Sequence, residues 1–173
     1  MAPGWALGLG GGMAPASQPA MGLWTTGMAL FLSTFVNKVD KKGRVSVPAP
    51  FRAILTTSQP FGGIACFRSA AGIIEASGID RMQKYSDELD SLDETSDRYL
   101  ELSAILADVK QLPWDAEGRI VLPPDFATHI GASDEVAFIG QGKFFLIREP
   151  AAAKREVEQA ITARRRGTPG ARP

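Results

Sequence analysis

Two short segments hold the residues best suited to chemistry. Each sets an aspartate four positions before an arginine, with a glycine directly ahead of the arginine: Asp40, Gly43 and Arg44, then Asp115, Gly118 and Arg119. A guanidinium carries five N–H donors in a planar fork, so it can bond bidentately to a phosphate or to the major-groove edge of guanine. Lys38, Lys41 and Lys42 crowd the first segment, and Arg52 lies nearby in sequence. Their charges would meet a phosphate backbone regardless of base sequence. The second segment has Ala116 and Glu117 where the first has two lysines, which weakens its pull on phosphate. A plainer reading of each pair is a clasp, Arg to Asp, that only closes a turn.

Other chemistries find little support. One cysteine, Cys66, excludes an intramolecular disulfide and any cysteine-cluster metal site. It sits in an apolar run, Ile64-Ala65-Cys66-Phe67, where a lone cysteine packs and does not react. His129 is the sole histidine, too few for a metal or catalytic centre. No phosphate-cradling glycine loop occurs, and Gly43 and Gly118 are turn formers. We therefore expect no enzyme activity, no metal, no cofactor and no small-molecule substrate.

The elements that must position the arginines follow from a repeat. Residues 40–51 and 115–126, 75 positions apart, share Asp, Gly, Arg, Pro and Phe, and match in type at the apolar positions after Arg. Asp at i and Gly at i+3 suit a type I turn followed by a residue of positive φ, the three-residue hairpin with a glycine bulge. Phe35–Val39 and Val109–Trp114 are the strands before the turns. Arg44–Val47 and Arg119–Leu122 alternate as strands after them. Prolines then end each strand and start short helices, Pro50–Leu55 and Pro124–Ile130, the second stopped by Gly131. Downstream, Ile64–Phe67 matches Val136–Ile139, and Ile73-Ile74 matches Phe145-Leu146, two strands around a turn in each copy.

Between the copies, Met82, Tyr85, Leu89 and Leu92 form one helical stripe, and Tyr99, Leu102, Ile105 and Leu106 a second. Thr95 or Ser96 can cap the second helix. After Pro150, residues 151–165 are rich in helix formers, with Val157, Ala160 and Ile161 on one face and Lys154 spaced to pair with Glu158. Arg164, Arg165 and Arg166 run into a tail expected to be disordered.

The 173 residues are 45% hydrophobic and 22% charged, enough apolar content for a core. Net charge is 0, but unevenly spread. Residues 38–60 carry +4 and 151–173 carry +4, bracketing −5 over 61–112 and −3 over 113–150. Local charge is what a nucleic acid would feel. Residues 1–27 are uncharged and interrupted by glycine and proline, so they suit neither a secretory signal nor a membrane span. They read as a dispensable flexible leader, with the patterned text opening at Met28.

The tandem Asp-x-x-Gly-Arg motifs, each running into an apolar strand and a proline, resemble the MraZ family of bacterial transcriptional regulators. Phe31–Asp40 is similar to that family's first strand and turn, and the likeness covers about 120 residues from Met28 to Pro150. The resemblance implies an α+β fold: two tandem, pseudo-symmetric, β-rich swapped-hairpin units of the AbrB/SpoVT type with short helices. The division is then a leader (1–27), a first unit (28–78), a helical insert (79–106), a second unit (107–150) and a C-terminal helix with a basic tail (151–173). The resemblance further implies a homo-oligomeric ring binding double-stranded DNA. Its target would be direct repeats upstream of the cell division and cell wall operon that contains its own gene, where it acts mainly as a repressor. Carried onto this chain, the DNA-binding set is Lys38, Asp40, Lys41, Lys42, Arg44, Asp115 and Arg119, with the arginines in contact and the aspartates shaping the turns. The expected location is cytoplasmic and nucleoid-associated, without membrane contact. Two rivals stand beside this reading: an AbrB-like antitoxin-type dimeric DNA binder, and an oligomeric scaffold whose acidic middle binds a protein.

Overall fold

The strands flanking each Asp-to-Arg turn part company soon after the turn closes. The computed structural model describes residues 30–70 and 72–166, so the leader 1–27 and the tail 167–173 lie outside the described residues. In the first repeat the elements are β1 (Thr34–Lys38), β2 (Arg44–Ser46), α1 (Ala49–Ser58), β3 (Gly63–Ser69) and β4 (Ile73–Ser77). The helices α2 (Ile79–Asp90) and α3 (Asp97–Asp108) follow. The second repeat supplies β5 (Lys110–Pro113), β6 (Arg119–Val121), α4 (Pro124–Ile130), β7 (Glu135–Gly140) and β8 (Phe145–Arg148), and α5 (Pro150–Arg166) comes last.

The local hairpin reading of each turn gives way to exchange between the repeats, in keeping with the swapped-hairpin fold class. After the first turn only one bridge, Val39 to Val45, joins its two arms. β1 instead pairs with β7 of the second repeat, β5 with β3 of the first, and β2 with β6. The main sheet therefore runs β1-β7-β8-β4-β3-β5, an order that reads the same from either end once equivalent strands are matched. The registers agree too: Phe35 faces Phe138, and its repeat-equivalent Lys110 faces Cys66. A unit of about 50 residues is small for an independent core. Exchanging strands lets both repeats bury their side chains in one cluster.

That cluster explains the spacing of the apolar residues. Val45, Val47, Ile120 and Leu122 point inward from β2, β6 and the residues after them. They meet Phe51 of α1, Phe126 of α4, and Phe138 and Phe145 of β7 and β8. Phe31 and Phe35 pack T-shaped with Phe51, with ring centroids 5.2 and 5.4 Å apart. α1 extends past the expected Leu55 to Ser58, where buried Gln59 takes over. Gln59 Nε2 donates to the carbonyls of Phe61 and Gly63, and its Oε1 accepts from the N–H of Ile79. α4 ends at Gly131, whose φ of +64° is left-handed, as expected of a glycine stop.

Met82, Tyr85 and Ile105 of the insert, with Val109 just after α3, pack against Ala65 and Phe67 of β3. Leu92 falls beyond the end of α2 and so outside its stripe. Ser96 is the cap of α3, its Oγ accepting from the N–H of Tyr99 at 3.2 Å. In α5, Glu149 accepts from the first free N–H groups, those of Ala151 and Ala152. Ala153 is buried, while Val157 and Ile161 are exposed. Lys154 and Glu158 pair at 4.0 Å. Among the described residues no helix is long and apolar enough to cross a membrane.

Candidate nucleic-acid interface

The β2–β6 ribbon brings the two arginines to one surface. With Val45 and Ile120 turned into the core, Arg44, Ser46, Arg119 and Val121 face outward. Arg44 lies opposite Val121, and Arg119 opposite Ser46. The two arginines are therefore diagonal neighbours, whose Cα atoms are roughly 7–8 Å apart in such a ladder. Asp40 is close enough to add its field to that on Arg119. Asn37 braces the assembly by donating from Nδ2 to the carbonyl of Ser46 at 2.7 Å.

Each turn is built as its sequence dictates. Gly43 N–H donates to Asp40 O, and Asp40 N–H to Arg44 O, both at 2.9 Å. Gly118 and Asp115 repeat the pattern with the same distances. Gly43 and Gly118 hold φ near +75° and +76°, a left-handed conformation costly for any residue with a Cβ. Asp40 Oδ1 accepts from the backbone N–H of Lys42 and of Arg44, and Asp115 Oδ1 from those of Glu117 and Arg119. These bonds, led by the Arg44 N–H, hold the Asp40 carboxyl below its ordinary range. The Arg119 N–H, then its side chain, does the same for Asp115.

The clasp expected as the plainer reading is present in both turns, in unequal form. Arg44 Nε donates to Asp40 Oδ2 at 2.7 Å, and its side chain remains 33% exposed. No other carboxylate pairs with Arg44 among the described residues. Arg119 Nε donates to Asp115 Oδ2 at 2.9 Å, while its Nη2 meets Asp115 Oδ2 at 2.8 Å and Glu117 Oε2 at 2.5 Å. Hydrogen bonding to Asp115, joined by the charge of Glu117, raises the Arg119 pKa. One fork is thus held at Nε by one carboxylate, and the other at Nε and Nη2 by two. A clasp of the first kind orients an arginine without consuming its outer donors.

Lys41 and Lys42 are exposed on the first turn. Lys38, three residues before Lys41, has acidic neighbours. It ends β1 opposite Glu135 and lines a hollow with Asp134, Glu135 and Glu149, so its charge is offset locally. The sequence sets Arg52 near the first turn, and the fold carries it to the second. From α1 it donates through Nε to Val47 O at 3.1 Å, and its guanidinium lies where a Cβ on Gly118 would stand, 2.4 Å away. It brings a positive charge from the first repeat under the second turn. Only the strand exchange creates that contact, so no local signal foretold it.

The remaining reactive groups are absorbed by the fold. Cys66 is buried, and burial pushes its thiol up to about 12. His129 Nε2 lies 2.8 and 3.2 Å from the carbonyls of Ser69 and Ile73, bracing the β3–β4 turn. Among the described residues no cluster of His, Cys, Asp and Glu could hold a metal ion.

The chain is similar to known proteins. Residues 105–165 match a family model described as "MraZ protein, putative antitoxin-like". The chain is 41% identical over 126 residues to a protein of Rickettsia bellii strain OSU 85-389 named transcriptional regulator MraZ, covering 71% of this chain and 83% of that one. A protein of the same name from Rhodospirillum rubrum is 41% identical over 128 residues, covering 72% and 83%. Another, from Gluconacetobacter diazotrophicus, is 40% identical over 151 residues, covering 80% and 90%. These relatives are named as regulators of transcription and not as enzymes. A two-stranded ribbon presenting paired Asp–Arg turns, with this identity across most of the length of its relatives, places the chain in the MraZ family.

Proposed function

We propose that this chain is a DNA-binding transcriptional regulator whose β2–β6 ribbon enters the major groove of double-stranded DNA. The observation that carries this reading is the convergence of Arg44 and Arg119 on one outward face, with Lys41 and Lys42 exposed at its end. A β-ribbon fits the groove, and base edges there carry a distinct donor and acceptor pattern. Arg44 supplies the base contact and Asp40 positions it. Lys41 and Lys42 meet phosphate.

One ribbon offers few cations. A homo-oligomeric ring would present several ribbons at fixed spacing, and linkage multiplies affinity through effective concentration. Closely spaced direct repeats upstream of the operon for cell division and cell wall synthesis, including the chain's own gene, are the target this architecture suits. Occupancy there would act mainly as repression, at the nucleoid. Residues 28–78 and 107–150 work as one exchanged pair, residues 79–106 brace it, and residues 151–173 are left to assembly or auxiliary phosphate contact.

The test is a titration of the full chain against a duplex spanning that upstream region, and against a scrambled duplex, as salt is varied. Preference for the upstream duplex, with steep loss of affinity in salt, is expected. Equal, salt-insensitive binding to both, or none, would overturn the reading. Light scattering at micromolar concentration checks the ring, which a monomer mass would exclude.

A further inference from the structure

The two arginines have different neighbours across the ribbon. Leu122 N–H donates to Gly43 O at one end, and Val47 N–H to Gly118 O at the other. Hydrogen-bonded and open pairs alternate along an antiparallel ladder. Counting inward from both ends, Arg44–Val121 and Ser46–Arg119 are open pairs. Side chains of such pairs approach most closely, with Cβ atoms roughly 4.5–5.5 Å apart. Val121 is 55% exposed, although Ile120 and Leu122 on either side of it are buried. Its side chain is thus solvent-exposed directly across the ladder from Arg44. The repeat-equivalent position holds Ser46, beside the closed fork of Arg119.

From this pairing we infer that Val121 is a specificity-determining residue that meets the 5-methyl group of a thymine adjacent to the base contacted by Arg44. The inference rests on the DNA reading above and names a second residue for it. In the major groove thymine alone carries a methyl group, and an apolar side chain is what recognises it. Successive bases lie about 3.4 Å apart along a strand, so two side chains that close can serve neighbouring base pairs. Ser46 offers a hydroxyl that suits several bases and has no methyl. The two ends of the ribbon therefore read differently, despite the pseudo-symmetric backbone. A reader of this kind selects an oriented sequence and not a palindrome.

The experiment pairs a protein change with removal of one methyl group. The full chain is titrated by fluorescence anisotropy with the upstream duplex, and with a series in which single thymines are replaced by deoxyuridine. At one position in each bound repeat, replacement weakens the parent about fourfold, the worth of one buried methyl-sized group. Val121→Ala weakens binding to the unmodified duplex by a similar factor and is indifferent to that replacement, whereas Val121→Ile retains the parent's response. Melting temperature and light-scattering mass stay at parental values. The inference is overturned if no single replacement weakens the parent. It is equally overturned if Val121→Ala and the replacement add independently, or if Val121→Ala changes the mass, which would make Val121 an assembly contact. Arg44→Ala separates the two levels. If it binds like the parent, the ribbon reading itself fails, while loss of binding there without methyl coupling at Val121 sinks this inference alone.

Discussion

In the first turn Asp40 takes one edge of Arg44 and leaves the rest of the fork without a carboxylate. In the second, Asp115 and Glu117 together hold Nε and Nη2 of Arg119. The backbones are near copies, down to the left-handed glycines. The difference comes from what stands between Asp and Gly: Lys41 and Lys42 in one, Ala116 and Glu117 in the other. The repeat thus fixes where an arginine is presented, and the two variable positions fix whether it is free to act. Arg52 complicates the contrast, since it lends the second turn a cation from the first repeat.

The largest expected effect is a split between two single variants. Arg44→Ala should cost about 1–3 kcal/mol of binding to the upstream duplex and blur its preference over scrambled DNA. Arg119→Ala should cost less in the same titration, because Nε and Nη2 are already held by Asp115 and Glu117. Both sit on an exposed clasp, so melting temperature should barely move. Equal losses would break the comparison.

Glu117→Gln sharpens it. Removing that charge opens the second fork, so affinity for both duplexes should rise, with a steeper salt dependence. Unchanged affinity would show that Asp115 alone keeps Arg119 out of reach. Smaller again are Lys41→Ala and Lys42→Ala. Each should weaken binding to every sequence alike and reduce the salt slope by about 1.

The smallest effect is on stability in acid. Asp40 and Asp115 are both held below their ordinary carboxyl value of 3.8 in the folded chain. A depressed folded value means that the clasps add stability above the unfolded value, and that this is lost as pH falls through the lower folded one. Melting curves of Asp40→Asn and Asp115→Asn should therefore fall below the parent at neutral pH and converge on it in strong acid. A gap that persists in acid would assign the loss to packing and not to charge.

Much of this was legible in the chain. Asp at i with Gly at i+3 specified each turn, and the alternation Val45, Val47 and Ile120, Leu122 specified which face of the ribbon is buried. The exchange of β1 and β5 between repeats was not legible from local pattern, because a turn specifies its own closure and not the partner of the strands that leave it. Local pattern alone pointed to hairpin pairing, whereas the family resemblance pointed to swapped-hairpin units, and burial of one shared core goes with the exchange. The placement of Arg52 under Gly118 and of Val121 beside Arg44 follows from that exchange and from register, neither of which any single segment encodes. Lys38 shows the same. Its near neighbours in sequence include Lys41 and Lys42, and the register of β1 adds Glu135 opposite it, which no local pattern indicates.

Amide hydrogen exchange of the full chain, alone and on the upstream duplex, tests most directly whether the ribbon is the surface that meets DNA. Exchange should slow in peptides covering Asp40–Ser46 and Asp115–Val121, more strongly in the first, with α2 and α3 unchanged. Slowing confined to α2, α3 or α5, with both turns exchanging as in the free chain, would contradict the account.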